Sequence, residues 1–208
     1  MLYTKTVEPD TLRLLKKLMR LEVLKDFSLV GGTGLSLRFG HRKSVDLDLF
    51  STKQFDNLVL LEELRKEGIS FQQTFSSSKL GIFGFIEGIK VDLVRHHYFS
   101  LIDEIQEVDG IRVFSDKDII AMKISAVLRR AVKKDFWDIA ELLKHYSLEN
   151  FISFYETKYP NEQVLISIPR AITYFEDAEN SPQPYCMQKL SWEDVKQTIR
   201  KAVREYLS

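Results

Sequence analysis

Leu29-Val30-Gly31-Gly32-Thr33-Gly34-Leu35, followed by Ser44-Val45-Asp46-Leu47-Asp48-Leu49-Phe50, is the stretch that decides how this chain folds. Residues two apart in a strand share a face, so Asp46 and Asp48 project together while Val45, Leu47 and Leu49 turn to the core. Adjacent carboxylates repel unless a cation or a shared proton relieves them. Carboxylates and water are the ligands Mg²⁺ prefers, completed by phosphate oxygens. Upstream, Gly31 and Gly32 let the backbone turn tightly and approach a ligand. Thr33 is placed to cap the following helix, whose free N–H groups attract phosphate. A phosphate cradle and a metal site separated by thirteen residues, counted from Gly32 to Asp46, imply chemistry on a nucleoside triphosphate.

Working outward, leucines at helical spacing predict a helix over 9–24. A strand over 27–30 leads into the glycine turn and a short helix over 34–39 follows it. The carboxylate strand spans 45–50 and a helix 58–67. Strands are expected over 69–75, 79–87 and 90–95, the first two joined by a Ser76-Ser77-Ser78 turn. Asp92 lies among Ile89, Val91 and Leu93 much as the first aspartates lie among their apolar neighbours. An aspartate in an apolar strand needs a partner: a metal shared with Asp46 and Asp48, or an ion pair with Arg95 or a lysine. His96-His97 closes that strand as a polar terminus.

From Ser115 the pattern is helical. Ser115 caps a helix with acids in its first turn, and helices are expected over 119–132, 135–145, 148–158, 163–178 and 191–206. Pro182 and Pro184 mark a loop over 179–188. The class is therefore α+β, a mixed sheet with flanking helices over 1–114 followed by a helical C-terminal domain over 115–208.

Thirty basic and thirty acidic residues cancel, which excludes a protein that coats nucleic acid by bulk charge but permits a local basic patch. Such a patch exists between Lys123 and Lys134, where Lys123, Arg129, Arg130, Lys133 and Lys134 occur without an acid. These arginines grip an RNA backbone or merely solvate a helix. Tyr174, Phe175 and Trp137 stack a base or belong to the core. No apolar run approaches the ~20 residues that cross a bilayer, the first ten residues lack a signal-peptide core, and Cys186 stands alone, so a cytoplasmic protein without intrachain disulfides is expected.

His41 and Arg42 sit between cradle and carboxylates, where a cation meets β- and γ-phosphates; the planar arginine fork suits phosphate oxygens. Ser44 bonds a phosphate or orders the loop. Taken together, Gly31 to Thr33, His41-Arg42, Ser44 and Asp46 to Phe50 resemble the AbiEii/AbiGii toxin family within the nucleotidyltransferase superfamily. One departure is Gly34, where alanine is commoner. Further along, Lys123 and Lys134-Asp135-Phe136-Trp137-Asp138-Ile139 match the family's second conserved-type segment.

The resemblance implies a minimal nucleotidyltransferase sheet, with Asp46, Asp48 and Asp92 holding two Mg²⁺ ions (Mn²⁺ as a substitute). It implies that Lys123 contacts the triphosphate and that Lys134, Asp135 and Asp138 complete the nucleotide and catalytic site, although Asp135 as a helix cap and Lys123 as a solvated residue remain open. It further implies transfer of a nucleoside monophosphate from an NTP to RNA, at a tRNA 3′ end, with a cognate antitoxin and a role in phage defence. A small-molecule acceptor, or a catalytically silent nucleotide-binding module, are the alternatives.

Overall fold

The computed structural model describes residues 2–74, 78–96 and 99–208. The end of the strand expected over 69–75, most of the serine turn and His97 lie outside the described residues. Helix α1 (Pro9–Met19) begins at a proline, whose missing N–H is not needed in a first turn. It stops short of the predicted Leu24, and Glu22–Leu24 forms a separate 3-10 turn. The Arg112 guanidinium explains the early end. It donates to the carbonyls of Met19, Leu24 and Phe27 at 2.9, 2.9 and 3.0 Å, satisfying acceptors that a helix end leaves open.

Next come β1 (Phe27–Leu29), α2 (Gly31–Phe39), β2 (Leu47–Ser51), α3 (Asn57–Lys66), β3 (Phe71–Gln73), β4 (Gly81–Ile86), β5 (Ile89–Arg95), β6 (Gln106–Val108) and β7 (Ile111–Val113). The seven strands make one sheet in the order β3-β4-β5-β2-β1-β7-β6. The pairs β2–β5 and β1–β7 are parallel and the others antiparallel. β2 is thus the central strand, in a register that sets Leu47 beside Val91, Asp48 beside Asp92 and Leu49 beside Leu93. The four apolar members of these pairs are buried, so slipping the register by one would turn them out of the core. Val45, expected inward, precedes the strand and is exposed.

The β6–β7 hairpin is absent from the sequence prediction. Its turn is Asp109-Gly110, both at positive φ (54° and 75°), the backbone that a two-residue hairpin turn requires.

The helical half comprises α4 (Asp116–Arg129), α5 (Lys133–Leu142), α6 (Leu148–Lys158), α7 (Ile168–Thr173) and α8 (Trp192–Leu207). Ser115 caps α4 by accepting the Asp118 N–H at 3.1 Å, and Ser191 with Asp194 forms a capping box on α8. The helix predicted over 163–178 is instead α7 and a 3-10 turn, Glu176–Ala178. Pro169 is tolerated only in a first turn, which fixes the start of α7, and Tyr174 leaves helical geometry at ψ 97°.

One continuous cluster of buried apolar side chains joins the sheet, through Leu47 and Val91, to the helices, through Ile124, Phe136 and Ile199. A fully buried ion pair, Lys158 with Asp118 at 2.7 Å, sits within it. Asp118 also accepts the N–H groups of Ile102 and Asp103, anchoring the segment that follows β5. Among the described residues no helix is long and apolar enough to cross a membrane.

His96 is buried beside Phe50, Phe99 and Phe114, and burial, reinforced by the Lys158 charge, lowers its pKa to about 4. A proton therefore binds the unfolded chain, near pH 6.5, more tightly than the folded one. The stability held above pH 6.5 is lost as pH falls toward 4, by up to about 3 kcal/mol. Urea midpoints measured between pH 7.5 and 4.5 should fall for the wild type and flatten for His96→Phe. Asp138, held well below the usual carboxylate range, titrates below that window.

Candidate active site

The site is built where β1 ends and β2 begins, against the start of α2. The helix opens at Gly31, at φ 68°, with Val30 as an N-cap that supplies no side-chain bond. Thr33 is therefore not the cap predicted for it. The helix starts three residues earlier than the predicted Gly34, and the Thr33 hydroxyl donates instead to the Asp46 carbonyl, with the Ser44 hydroxyl at 2.8 Å. Thr33 and Ser44 thus fix the loop that carries Asp46, and the first N–H groups of α2 stay free of a side-chain cap. An open helix N-terminus favours anions. Gly34 also has a local reason, since a Cβ there would lie 3.3 Å from Val113 Cγ2; its absence lets α2 settle against β7.

Gly31, Gly32, Arg42, Ser44, Asp46, Asp48, Asp92, Lys123, Lys134 and Asp135 line one cavity of about 450 Å³. Asp48 and Asp92 are register partners across β2 and β5, and Asp46 lies two residues before Asp48. Burial first, and then the Asp92 charge, raise the Asp48 pKa. Asp92 Oδ2 accepts from Lys90 Nζ at 2.9 Å, Asp46 Oδ2 meets Lys134 Nζ at 3.4 Å, and Asp92 Oδ1 is buried without a hydrogen-bond partner.

Among the described residues no three acidic, His or Cys side chains already form a metal cage. The donor set nevertheless fits a hard divalent cation. It consists of carboxylate oxygens, one of them orphaned and one destabilised by neighbouring charge.

The opposite wall is a buried charge network. Asp138, fully buried, accepts from Arg42 Nε and Nη2 at 2.6 and 2.9 Å and from His41 Nε2 at 2.7 Å, with Lys123 Nζ at 2.6 Å. Lys123 also donates to Asp135 at 2.8 Å. Burial opposes the Asp138 charge, yet Arg42 and Lys123 outweigh it and hold the carboxyl well below its usual range. In return, and against the same burial, the aspartates raise the pKa of Lys123 and of Arg42.

His41, expected at the phosphates, lies behind Arg42 and does not line the cavity. Asp138 is likewise screened from it by the cations that it holds. Trp137 and Phe175 belong to the core, while Tyr174 is exposed.

Two contributors escape sequence reading. Lys90 shares a strand face with Asp92, a spacing visible in the sequence but without a motif to mark it. A strap over 185–187 pairs with the Arg42 loop. Lys43 N–H donates to the Tyr185 carbonyl and Met187 N–H to the His41 carbonyl, both at 2.8 Å, and Arg42 faces Cys186 in an antiparallel bridge.

Gly32 makes the closest approach in the site, since a Cβ there would fall 2.0 Å from Arg42 Nη2. Gly32→Ala is expected to push the guanidinium off Asp138 and lower stability by about 1–3 kcal/mol, read as a reduced urea midpoint.

The sequence and fold agree with known proteins. The family model of the AbiEii nucleotidyl transferase toxins of type IV toxin–antitoxin systems matches residues 13–83 and 79–205. An uncharacterized protein of Aquifex aeolicus is 34% identical over 202 residues, covering 93% of this chain and 94% of that one. A Helicobacter pylori structure described as a nucleotidyltransferase superposes with a TM-score of 0.58 at 19% identity, covering 97% of this chain and 99% of the other. MenT4, a nucleotidyltransferase toxin of Mycobacterium tuberculosis, does so at 0.57 and 16% identity, covering 91% and 82%. Those two likenesses establish a common fold. With its α+β architecture and the extent of the family match, this chain is a nucleotidyltransferase and belongs to the AbiEii toxin family.

Proposed function

We propose that this chain moves a nucleoside monophosphate from an NTP to a hydroxyl of RNA, at a tRNA 3′ end, as the cytoplasmic toxin of a pair with a cognate antitoxin in phage defence. The observation that carries the chemistry is the single cavity holding Asp46, Asp48 and Asp92 on one side and Arg42 and Lys123 on the other. The RNA acceptor and the antitoxin rest on the family and on the basic run from Lys123 to Lys134.

In this reading the free N–H groups at the start of α2, with Ser44 beside them, receive phosphate oxygens. Arg42 and Lys123 neutralise the triphosphate, held rigid by Asp138 and Asp135. His41 acts through Arg42 by fixing Asp138, and Lys134 moves from Asp46 to phosphate as the nucleotide enters. Asp46, Asp48 and Asp92 would hold Mg²⁺, two ions, with Mn²⁺ as a substitute. When bound, the metal lowers the pKa of the acceptor hydroxyl and neutralises the leaving pyrophosphate.

The acceptor oxygen then attacks the α-phosphorus. A new P–O bond forms as the bond to the β-phosphate oxygen breaks, pyrophosphate departs, and the hydroxyl proton passes to solvent. Positioning and charge neutralisation account for most of such catalysis.

The test is incubation with Mg²⁺, each labelled NTP in turn, and total tRNA, beside an Asp46→Ala/Asp48→Ala control. Label entering RNA only with both aspartates present supports the proposal and identifies the nucleotide. Label confined to small molecules, or triphosphate bound without transfer, overturns the RNA reading.

A further inference from the structure

We propose that a second groove, beside the reactive cavity, seats an unpaired nucleobase of the acceptor strand, stacked on Tyr174 and flanked by the Arg170 guanidinium. This rests on the reading of RNA as acceptor and adds where the strand lies. The groove, of about 420 Å³, forms where the C-terminal end of α4 meets α7. Arg129 and Arg130 line both it and the reactive cavity, so a strand with its terminal hydroxyl in the cavity would pass those arginines into the groove.

Its chemistry suits a base with its phosphate. Val127, Leu128 and Ala171 supply an apolar floor. Tyr174 is 47% exposed. Its hydroxyl is directed to Glu176 at 3.2 Å, and its ring stacks on no other ring among the described residues. An exposed aromatic face of this kind accepts any base.

The arginines differ in availability. Arg129 is paired with Glu162 at 2.9 Å and Arg130 approaches Asp135 at 3.8 Å, whereas exposed Arg170 makes no ion pair among the described residues. Arg170 is therefore the cation free to meet a phosphate. One acid, Asp177, also lines the groove. It opposes phosphate but can accept from a base amino group or a ribose hydroxyl. In a chain whose charges cancel overall, three arginines around one aromatic face mark a strand-binding path.

The full chain, without NTP, would be titrated with a fluorescein-labelled single-stranded RNA oligonucleotide by anisotropy, and with Mg²⁺–NTP by calorimetry. Tyr174→Ala is expected to weaken RNA binding about tenfold and leave NTP binding unchanged, while Tyr174→Phe, which keeps the ring, binds RNA as the wild type does. Arg170→Gln should flatten the log–log salt dependence by about 0.7. Equal RNA binding by wild type and Tyr174→Ala overturns the groove while leaving the RNA reading intact. Weakened NTP binding instead assigns the groove to the donor base and also overturns it. A wild type that binds no RNA removes the acceptor reading and the groove with it.

Discussion

Replacing Asp48 by alanine is expected to lower nucleotidyl transfer by about 10⁴-fold, the scale reached when one essential catalytic group is lost, and Asp46→Ala should do the same. The companion measurement is stability, because a structural role and a catalytic role predict opposite signs. Asp48 is half-buried, faces Asp92 in register, and has its pKa raised first by that desolvation and then by that neighbour. In the absence of a cation it strains the folded state. Asp48→Asn keeps the shape, removes the repulsion, and should raise stability by about 1 kcal/mol as activity disappears, the trade-off seen at strained active sites. Urea unfolding of wild type and variant without divalent ions measures the first effect, and transfer assays the second. A variant that is both active and stabilised would remove Asp48 from the proposed chemistry.

Asp138→Ala should have the largest effect on stability. Among the described residues it would leave Arg42 with only the Lys43 carbonyl at 3.0 Å as a hydrogen-bond acceptor, take one of two carboxylates from Lys123, and deprive His41 Nε2 of its acceptor. Stranding buried cations costs about 3–5 kcal/mol, which for a domain of this size lowers Tm by roughly 10 °C. Asp138→Asn retains the shape and one acceptor oxygen and should fall between. Since Asp138 does not line the cavity, its loss acts through Arg42 and Lys123. NTP binding should therefore weaken together with stability, whereas Asp48→Asn separates transfer from folding.

The readable part of the molecule is the part encoded locally. The alternation of Asp46, Leu47, Asp48 and Leu49 shows directly as a buried strand with a polar face, and Ser115-Asp116-Lys117-Asp118 shows as a capped helix start. The mixed sheet with flanking helices follows from such segments. The β6–β7 hairpin was also legible through Asp109-Gly110, between Val108 and Ile111. The helix expected over 163–178 gives too little weight to Pro169. Other features have no local trace. Arg42 and Asp138 are 96 positions apart, so the burial of His41 and Asp138 behind the cavity wall emerges only when α5 docks on α2. The strap over 185–187 is a single bridge in a proline-flanked loop, which no periodicity reports.

That strap also has a consequence for the order in which the protein is made. The Gly-Gly turn and the paired aspartates leave the ribosome before Asp138 and residues 185–187. Until they arrive, Arg42 has neither the carboxylate that orients it nor the backbone that pins its loop. A nascent chain thus displays the carboxylates before the cation that faces them is held in place. The two facing walls of the cavity are complete only once residues 185–187 have been made.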